Sequence, residues 1–541
     1  MVITPHFGDK MIQAIFITAL FVTNPVLSQE RLPLDVIPKM TVPALDYAML
    51  FEEDFHREQA GLPLRFAEAN IVAITPETHG MWEQLDGNKM RWSYRVTCDN
   101  AVSMNLGFGR YNMPESGSMI IMDSAIDCQI RPFTSEDNKD HGELWTPIIP
   151  SNEAVIEIVV DRSEKKLVDQ NIELTSINAG YQGFKGGGNR GSSGSCNIDV
   201  LCSQGDDWWN EIPSVGVYTL YGYLTCTGAM INNTAQDQTP YFLTANHCGV
   251  TSSSDSTIVV YWNHQNSYCR TPGSSDSGGN GNGSYSQFTS GSTMRATRSY
   301  TDFTLTELSS APNESWGITW SGWSRSSSTN GVGAGIHHPQ TAEKRISFPD
   351  YSTASGEMWN VNWSEGTTEP GSSGSPLYDS NHRIVGQLCC GSAACGNDAN
   401  DYYGRSIGLS WSGSSSSTLS SWLDPLGTNA TYLDTLNPAN APTGACCVES
   451  ISICLEDLRE SNCLAGGGDW QGEDTTCATV ECFPEPECPS DVNGDGVTNV
   501  TDILAIVAAW GSNDADADID GDGTVGVSDL LVVIEGWGDC P

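Results

Sequence analysis

Three short segments in fixed order constrain this 541-residue chain more than any other feature. They are Asn246-His247-Cys248, ending the run Tyr-Phe-Leu-Thr-Ala-Asn-His-Cys, then Thr301-Asp302-Phe303, then Gly371-Ser372-Ser373-Gly374-Ser375-Pro376. A serine hydroxyl is a poor nucleophile until an imidazole can take its proton. The imidazole in turn needs a carboxylate to fix its tautomer and stabilise the cation that forms. By that logic Ser373 is the candidate nucleophile, His247 the general base and Asp302 the orienting acid. The backbone N–H groups of Gly371 and Ser373 are the candidate donors to a developing oxyanion.

Each signal alone is weak. Gly-Ser-Ser-Gly-Ser occurs twice, at 191–195 and at 371–375, and a single histidine beside a cysteine reads most simply as a packed structural residue. Context separates the two copies. The second follows the His and Asp segments and runs through Pro376 into the strand-like Leu377-Tyr378, whereas the first precedes Cys196 at an apparent junction.

Further segments extend the pattern. They are Gly-Ser-Cys-Asn-Ile-Asp-Val at 194–200, Val259-Val260-Tyr261-Trp262-Asn263, His337-His338-Pro339, Ala342-Glu343-Lys344-Arg345-Ile346-Ser347, and Glu369 to Leu377. With these, residues 191–437 resemble the lysyl endopeptidases, secreted bacterial trypsin-like serine proteases. The resemblance implies an all-β, chymotrypsin-like double β-barrel with the triad in the cleft between barrels, and no cofactor for catalysis. It also implies the disulfides Cys196–Cys395, Cys202–Cys269 and Cys226–Cys248. Cys389 and Cys390 are then left over, either as a vicinal pair or with one of them exchanging into the assigned set.

Specificity, on the same resemblance, rests on Asp401, the acid that would receive a substrate lysine. A carboxylate in a partly dry pocket favours a basic side chain and leaves an apolar one facing an unpaired charge. A solvated loop acid is the plain alternative, as Asp398 illustrates. The chain departs from the family in carrying Cys389 where a histidine stands near the pocket. The stretch 348–357 also looks shortened where a tryptophan packs on that histidine. Ser372 replaces the acid that binds a new N-terminus in ordinary trypsins, so no such ion pair can form. Activation then reads as removal of an inhibitor.

Lysine usage points the same way independently. Residues 191–541 hold one lysine, Lys344, against eight arginines, while residues 29–190 hold six lysines. An enzyme cutting after lysine would spare its own body and destroy that region, with arginine as second choice. Arg190 at the junction pulls the other way.

Eighteen cysteines imply an oxidising compartment. Residues 1–28 read as a signal peptide, with Lys10 before the apolar run 11–22 and Val26-Leu27-Ser28 as the cleavage site. That run is too short to span a bilayer, so no transmembrane segment is expected and the protein reads as secreted or cell-surface associated. With a net charge of −42, no nucleic-acid partner is expected. Residues 29–190, with alternating runs at 91–96 and 154–160, read as a β-rich propeptide; a permanent binding domain is the alternative.

After Asn437 the composition changes. Residues 438–487 comprise a linker and a six-cysteine module that depends on disulfides rather than a large core; its spacing fits no familiar zinc pattern. Residues 488–541 contain an internal repeat. Asp491, Asn493, Asp495, Val497, Asn499 and Asp502 recur as Asp518, Asp520, Asp522, Thr524, Gly526 and Asp529. Oxygen ligands at positions 1, 3, 5, 7, 9 and 12 with Gly at 6 are how an EF-hand loop wraps calcium, position 7 through its carbonyl. Gly526 offers no side chain, so a water takes that position. Apolar helix patterns follow each loop (Ile503, Leu504, Val507, Trp510; Leu530, Leu531, Ile534, Trp537) and none precedes, which resembles a type I dockerin. That resemblance implies an α-helical calcium module that docks on a cohesin-like scaffold or cell-surface partner.

The expected function is a secreted, calcium-tethered serine endopeptidase acting on proteins or peptides. Two readings compete with it. One is a non-catalytic adhesive or scaffold subunit on a degenerate protease fold. The other is a subunit of a dockerin-assembled polysaccharide-degrading complex, for which no carboxylate pair is identifiable.

Overall fold

The computed structural model describes residues 31–125, 129–184, 193–329, 331, 333–440, 443–448, 453–459, 463–464, 467–483 and 488–540. The signal-peptide run, Cys128 and the junction at Arg190 lie outside the described residues. The chain divides into two compact units between Ala439 and Asn440.

In the first unit, residues 31–184 form two packed sheets. One has the order 39–41, 89–97, 153–161, 118–122, with 81–84 also pairing 89–97; the other runs 67–74, 172–180, 103–111, 144–145. The alternating runs seen in sequence lie in the paired strands Lys89–Thr97 and Glu153–Asp161. Trp92, Tyr94, Ile156, Ile158 and Val160 are buried between the sheets, at about 1.5–3 kcal/mol for each large apolar side chain removed from water.

Two barrels follow. The first is a curled sheet in the order 288–290, 259–261, 215–220, 224–230, 241–245, 303–308, 292–298. Its two end strands are joined through Gly291, whose N–H donates to Ile258 C=O while its C=O accepts from Ser309 N–H. The second barrel closes outright. Strand Pro376–Tyr378 pairs on one side with Gly335–His337 and on the other with Ile384–Gly391, and strands 345–355, 358–365 and 401–404 complete the ring. The stretch 348–357, read as shortened, lies in the long hairpin of Arg345–Ser355 and Met358–Glu365.

Two sequence segments singled out above meet here, because Ile198–Asp199 pairs with Arg345–Ile346. Asp199 is fully buried and accepts from Arg270 Nε at 2.9 Å, with Arg345 Nη1 also 2.9 Å away. Such a buried charge needs both cations, since removing one partner leaves the rest desolvated and uncompensated. The bonds Cys196–Cys395, Cys202–Cys269 and Cys226–Cys248 staple this region.

The second unit contains a three-stranded sheet, 453–459, 443–448, 469–470, held by Cys446–Cys463, Cys447–Cys482 and Cys454–Cys477. It also contains two loop–helix repeats with helices Val500–Ala508 and Val527–Glu535, whose ends are clasped by Cys488–Cys540. The six-cysteine module's thiols are therefore spent on disulfides rather than on a metal. Among the described residues, no helix is long and apolar enough to cross a membrane.

Candidate active site and C-terminal loops

His247 sits on a single turn that follows the buried strand Tyr241–Ala245, and Asp302 sits immediately before the strand Phe303–Leu308 that pairs with it. This pairing fixes the two side chains. His247 Nδ1 lies 2.8 Å from Asp302 Oδ2, and the His247 backbone N–H donates to Asp302 Oδ1, also at 2.8 Å. Asp302 is buried and adopts φ 51°, a left-handed conformation that aspartate tolerates better than most residues. Its carbonyl accepts from Asn246 N–H and from Gln387 Nε2. Gln387 is itself held by Ser406. Sequence reading missed Gln387, which lies in a strand of the other barrel with no local motif.

Ser373 enters from the second barrel, on the turn before Pro376–Tyr378. Its carbonyl accepts from Thr227 N–H at 2.8 Å, and Thr227 Oγ1 donates to Gly371 C=O at 2.9 Å. Gly374 has φ 84°, and a Cβ there would lie 2.4 Å from Thr227 O and 2.9 Å from Ala245 N. Only glycine lets the turn carrying Ser373 press this closely on the strands beside His247. Among the described residues, no hydrogen bond joins Ser373 Oγ to His247, a contact that is often long before substrate binds. Gly371 has φ 95°; its N–H and that of Ser373 belong to the same turn.

Ser372 hydrogen-bonds to His337 Nδ1 at 2.9 Å, and His337 Nε2 bonds to Ser347 Oγ. Burial pushes the His337 pKa down to about 3, keeping the ring neutral. A neutral serine–histidine contact thus stands beside Ser373 where ordinary trypsins have an ion pair. Nearby, Glu369 accepts from Gly194 N–H at 2.7 Å and from Asn197 Nδ2 at 2.6 Å, tying down the segment around Cys196.

Asp401 lies in a strand pairing with both Met358–Glu365 and Ile384–Gly391. It is 2 % exposed, more enclosed than a partly dry pocket suggests. Its Oδ2 accepts from Trp363 Nε1 at 2.7 Å and from Thr368 Oγ1 at 2.6 Å, and Oδ1 accepts from Ala393 N–H. Burial raises its pKa, and those donors oppose the rise. Trp363 and Thr368 carried no signal in the sequence. Cys389 and Cys390 are free thiols with Sγ atoms 2.8 Å apart, and Cys389 Sγ clusters with His247 and Asp302.

In the C-terminal repeats, Asp502 caps its own helix by accepting from Asn499 N–H, and Asp529 accepts from Gly526 N–H in the same way. Asp491 accepts from Gly494, Asp495 and Gly496 N–H, which curls the first loop around it; Asn493, Val497 and Asn499 complete that turn. In the second loop Asp518, Asp520 and Asp522 bring one carboxylate oxygen each within 4.8 Å of one another, and Asp518 Oδ1 is buried with no hydrogen-bond partner. Converging carboxylates with an orphaned oxygen fit a hard divalent cation. Thr524 stands at position 7 of this loop. The helix stripes split in two. Ile503, Ile506, Leu530 and Val533 pack inward, whereas Leu504, Val507, Trp510, Leu531, Ile534 and Trp537 are exposed.

Two β-barrels with His, Asp and Ser brought to their seam define the chymotrypsin-like architecture. Residues 190–404 match the family model of the lysyl endopeptidase C-terminal domain, and residues 489–536 match that of the dockerin type I domain. A curated relative, the lysyl endopeptidase of Pseudomonas aeruginosa, is 25% identical over 291 residues, covering 49% of this chain and 61% of the relative. This chain therefore spans about three fifths of that relative's length. Among solved structures, the active form of the Rv3671c protease from M. tuberculosis overlaps 41% of this chain and 92% of its own, with 13% identity and a TM-score of 0.27. The HtrA-type protease AlgW with tripeptide overlaps 38% and 60%, with 15% identity and a TM-score of 0.26. The chain is thus similar to lysyl endopeptidases over its central segment and to type I dockerins over its last.

Proposed function

We propose that this chain is a secreted serine endopeptidase that cuts on the C-terminal side of lysine, with arginine second, and is tethered through a calcium-loaded dockerin. The observation that carries the reading is the doubly hydrogen-bonded His247–Asp302 pair, facing a nucleophile turn clamped by Thr227. In the reaction, Ser373 Oγ attacks the peptide carbonyl as His247 takes its proton. The N–H groups of Gly371 and Ser373 hold the oxyanion. His247 then protonates the leaving amine, and water cleaves the acyl-enzyme by the reverse route.

Asp401 is the acid that meets the substrate lysine. Lys344, the one lysine after residue 191, is fully buried and donates to Ile212 C=O at 2.7 Å, so a body built of residues 191–541 offers a lysine-directed enzyme no exposed target. Residues 1–28 are the signal peptide, 29–190 the propeptide, 191–437 the catalytic domain, 438–487 the linker and disulfide module, and 488–541 the dockerin. The last binds calcium through Asp491, Asn493, Asp495, Val497, Asn499 and Asp502, and through Asp518, Asp520, Asp522, Thr524 and Asp529. Its exposed apolar helix faces suit a cohesin-like partner.

A fluorophosphonate label tests the core of this reading. It should attach to Ser373 in the 191–541 protein and fail on Ser373→Ala. An unlabelled but folded protein would favour the non-catalytic scaffold subunit instead.

A further inference from the structure

The region before residue 191 reaches into the candidate cleft. Leu64–Arg65 forms a short strand antiparallel to Leu224–Met230 of the first barrel, with Leu64 opposite Thr225 and Arg65 opposite Leu224. Phe66 N–H continues the ladder to Tyr223 C=O at 2.9 Å. The strand it joins is the wall of the cleft. Cys226 is bonded to Cys248, the residue after His247, and Thr227 holds the carbonyls of Gly371 and Ser373. A Cβ placed on Gly371 would lie 3.3 Å from Leu64 Cδ2, so Leu64 lies directly against the oxyanion turn.

The segment is held rigidly. Arg65 Nε donates to Asp54 Oδ1 at 2.9 Å and to the Tyr181 hydroxyl at 3.0 Å, and Arg65 Nη2 pairs with Glu53 at 2.9 Å. Tyr181 donates to Asp54 Oδ2 at 2.6 Å, and Gln182 Nε2 donates to Arg65 C=O at 2.6 Å. Pro63 is buried and brings no N–H. A peptide added to a sheet edge gains main-chain bonds, and prior rigidity lowers the ordering cost of keeping it there.

Asp401, in contrast, is bonded to Trp363, Thr368 and Ala393, all within the second barrel. When the acyl half of a substrate reaches for Asp401, the first-barrel strand Leu224–Met230 is the surface left to receive the departing half. We propose that Leu64–Phe66 is a built-in strap that occupies this leaving-group side as a peptide would. It blocks substrates that continue beyond the scissile bond and leaves the lysine pocket accessible. The strap carries no lysine, and its one basic residue, Arg65, is held by Asp54, Tyr181 and Glu53. The inference rests on Ser373 being the nucleophile.

The test uses the full chain, its pro-region confirmed intact by mass, assayed over its first turnovers with two substrates. One is an Nα-acyl-lysine methyl ester, whose leaving group is only methanol; the other is a quenched peptide with four residues after lysine. Leu64→Asp should raise kcat/KM for the peptide at least tenfold while changing ester hydrolysis less than twofold. Arg65→Ala, which cuts the latch outside the cleft, should move the same ratio and guards against misfolding of the first variant. A peptide-to-ester ratio unchanged in both variants overturns the strap. So does a chain whose Ser373 takes a fluorophosphonate while the ester stays uncut, because the blockade is then not one-sided. No phosphonate labelling in any chain overturns the nucleophile assignment and the strap with it.

Discussion

His247 and Asp302 meet twice, the ring through Nδ1 and the backbone through its N–H, each at 2.8 Å from one oxygen of the same carboxylate. Each Asp302 oxygen is thereby engaged by His247. Donating Nδ1–H to Asp302 would fix the ring's tautomer and leave Nε2 as the atom free to take a proton.

The first prediction follows from that fixation. Ser373→Ala and His247→Ala should each abolish peptide hydrolysis in the 191–541 protein without changing its circular dichroism, because residues that act as a unit fail together. Asp302→Asn should lower kcat by about four orders of magnitude with geometry intact, by presenting the wrong tautomer. Near-normal turnover in purified Ser373→Ala would sink the assignment.

The candidates His247, Asp302 and Ser373 stood out in the chain because each lies in a short run of distinctive residue types, and the structure pairs the first two directly. The C-terminal loop–helix repeats were legible because their spacing is repeated. What was not legible comes from contacts made across the fold. Gln387 reaches Asp302 from the opposite barrel, His337 hydrogen-bonds to Ser372 from a separate strand, and Trp363 finds Asp401 only because two strands pair. Leu64 belongs to the same class, since nothing in Leu62-Pro63-Leu64-Arg65 announces a cleft. Trp510 and Trp537, which end the apolar helix patterns read in the sequence, remain 48 % and 54 % exposed. Each repeat helix is apolar on two faces, and periodicity alone does not say which one the fold buries.

Specificity should depend on Asp401 and on its donors. Asp401→Ala should cut kcat/KM for lysyl substrates by roughly 2–5 kcal/mol, as for a lost partner of a buried charge. Trp363→Phe removes the indole donor at 2.7 Å and should weaken lysine preference by a smaller amount. Cleavage-site profiling in a mixed peptide library checks both. Cuts after aromatic residues, or an unaltered lysine preference in Asp401→Ala, would remove Asp401 from the pocket.

Lys344 should leave a pH signature in stability. Burial lowers its pKa from 10.5 to about 7, so between those values the unfolded chain binds the extra proton. Stability from this group therefore rises with pH across that window, and below about 7 the cost of burial is complete. Lys344→Met should be most favourable relative to wild type near pH 7. Its advantage should shrink toward pH 10, by up to about 1.4 kcal/mol per pH unit. Urea denaturation of both proteins at several pH values measures the difference. A constant gap would mean that Lys344 titrates normally.

The C-terminal tail should fold on calcium. Its second loop sets three carboxylates within 4.8 Å of one another around the unpartnered Asp518 Oδ1, and Arg459 is the one basic residue among about twenty acids after residue 437. Without a cation these charges repel, so apo 488–541 should be expanded and poorly helical even with Cys488–Cys540 closed. Titration with calcium should bring in helix by circular dichroism with about two ions bound per chain. Asp491→Ala with Asp518→Ala should abolish that gain, along with capture of a cohesin-like partner through the exposed Leu504, Val507, Leu531 and Ile534 faces. A chain ending at Asn437 should keep its peptidase activity with or without chelator, because every proposed catalytic residue lies before that point. Helix content that ignores calcium, or equal partner capture by the double variant, would leave the loops as plain acidic turns.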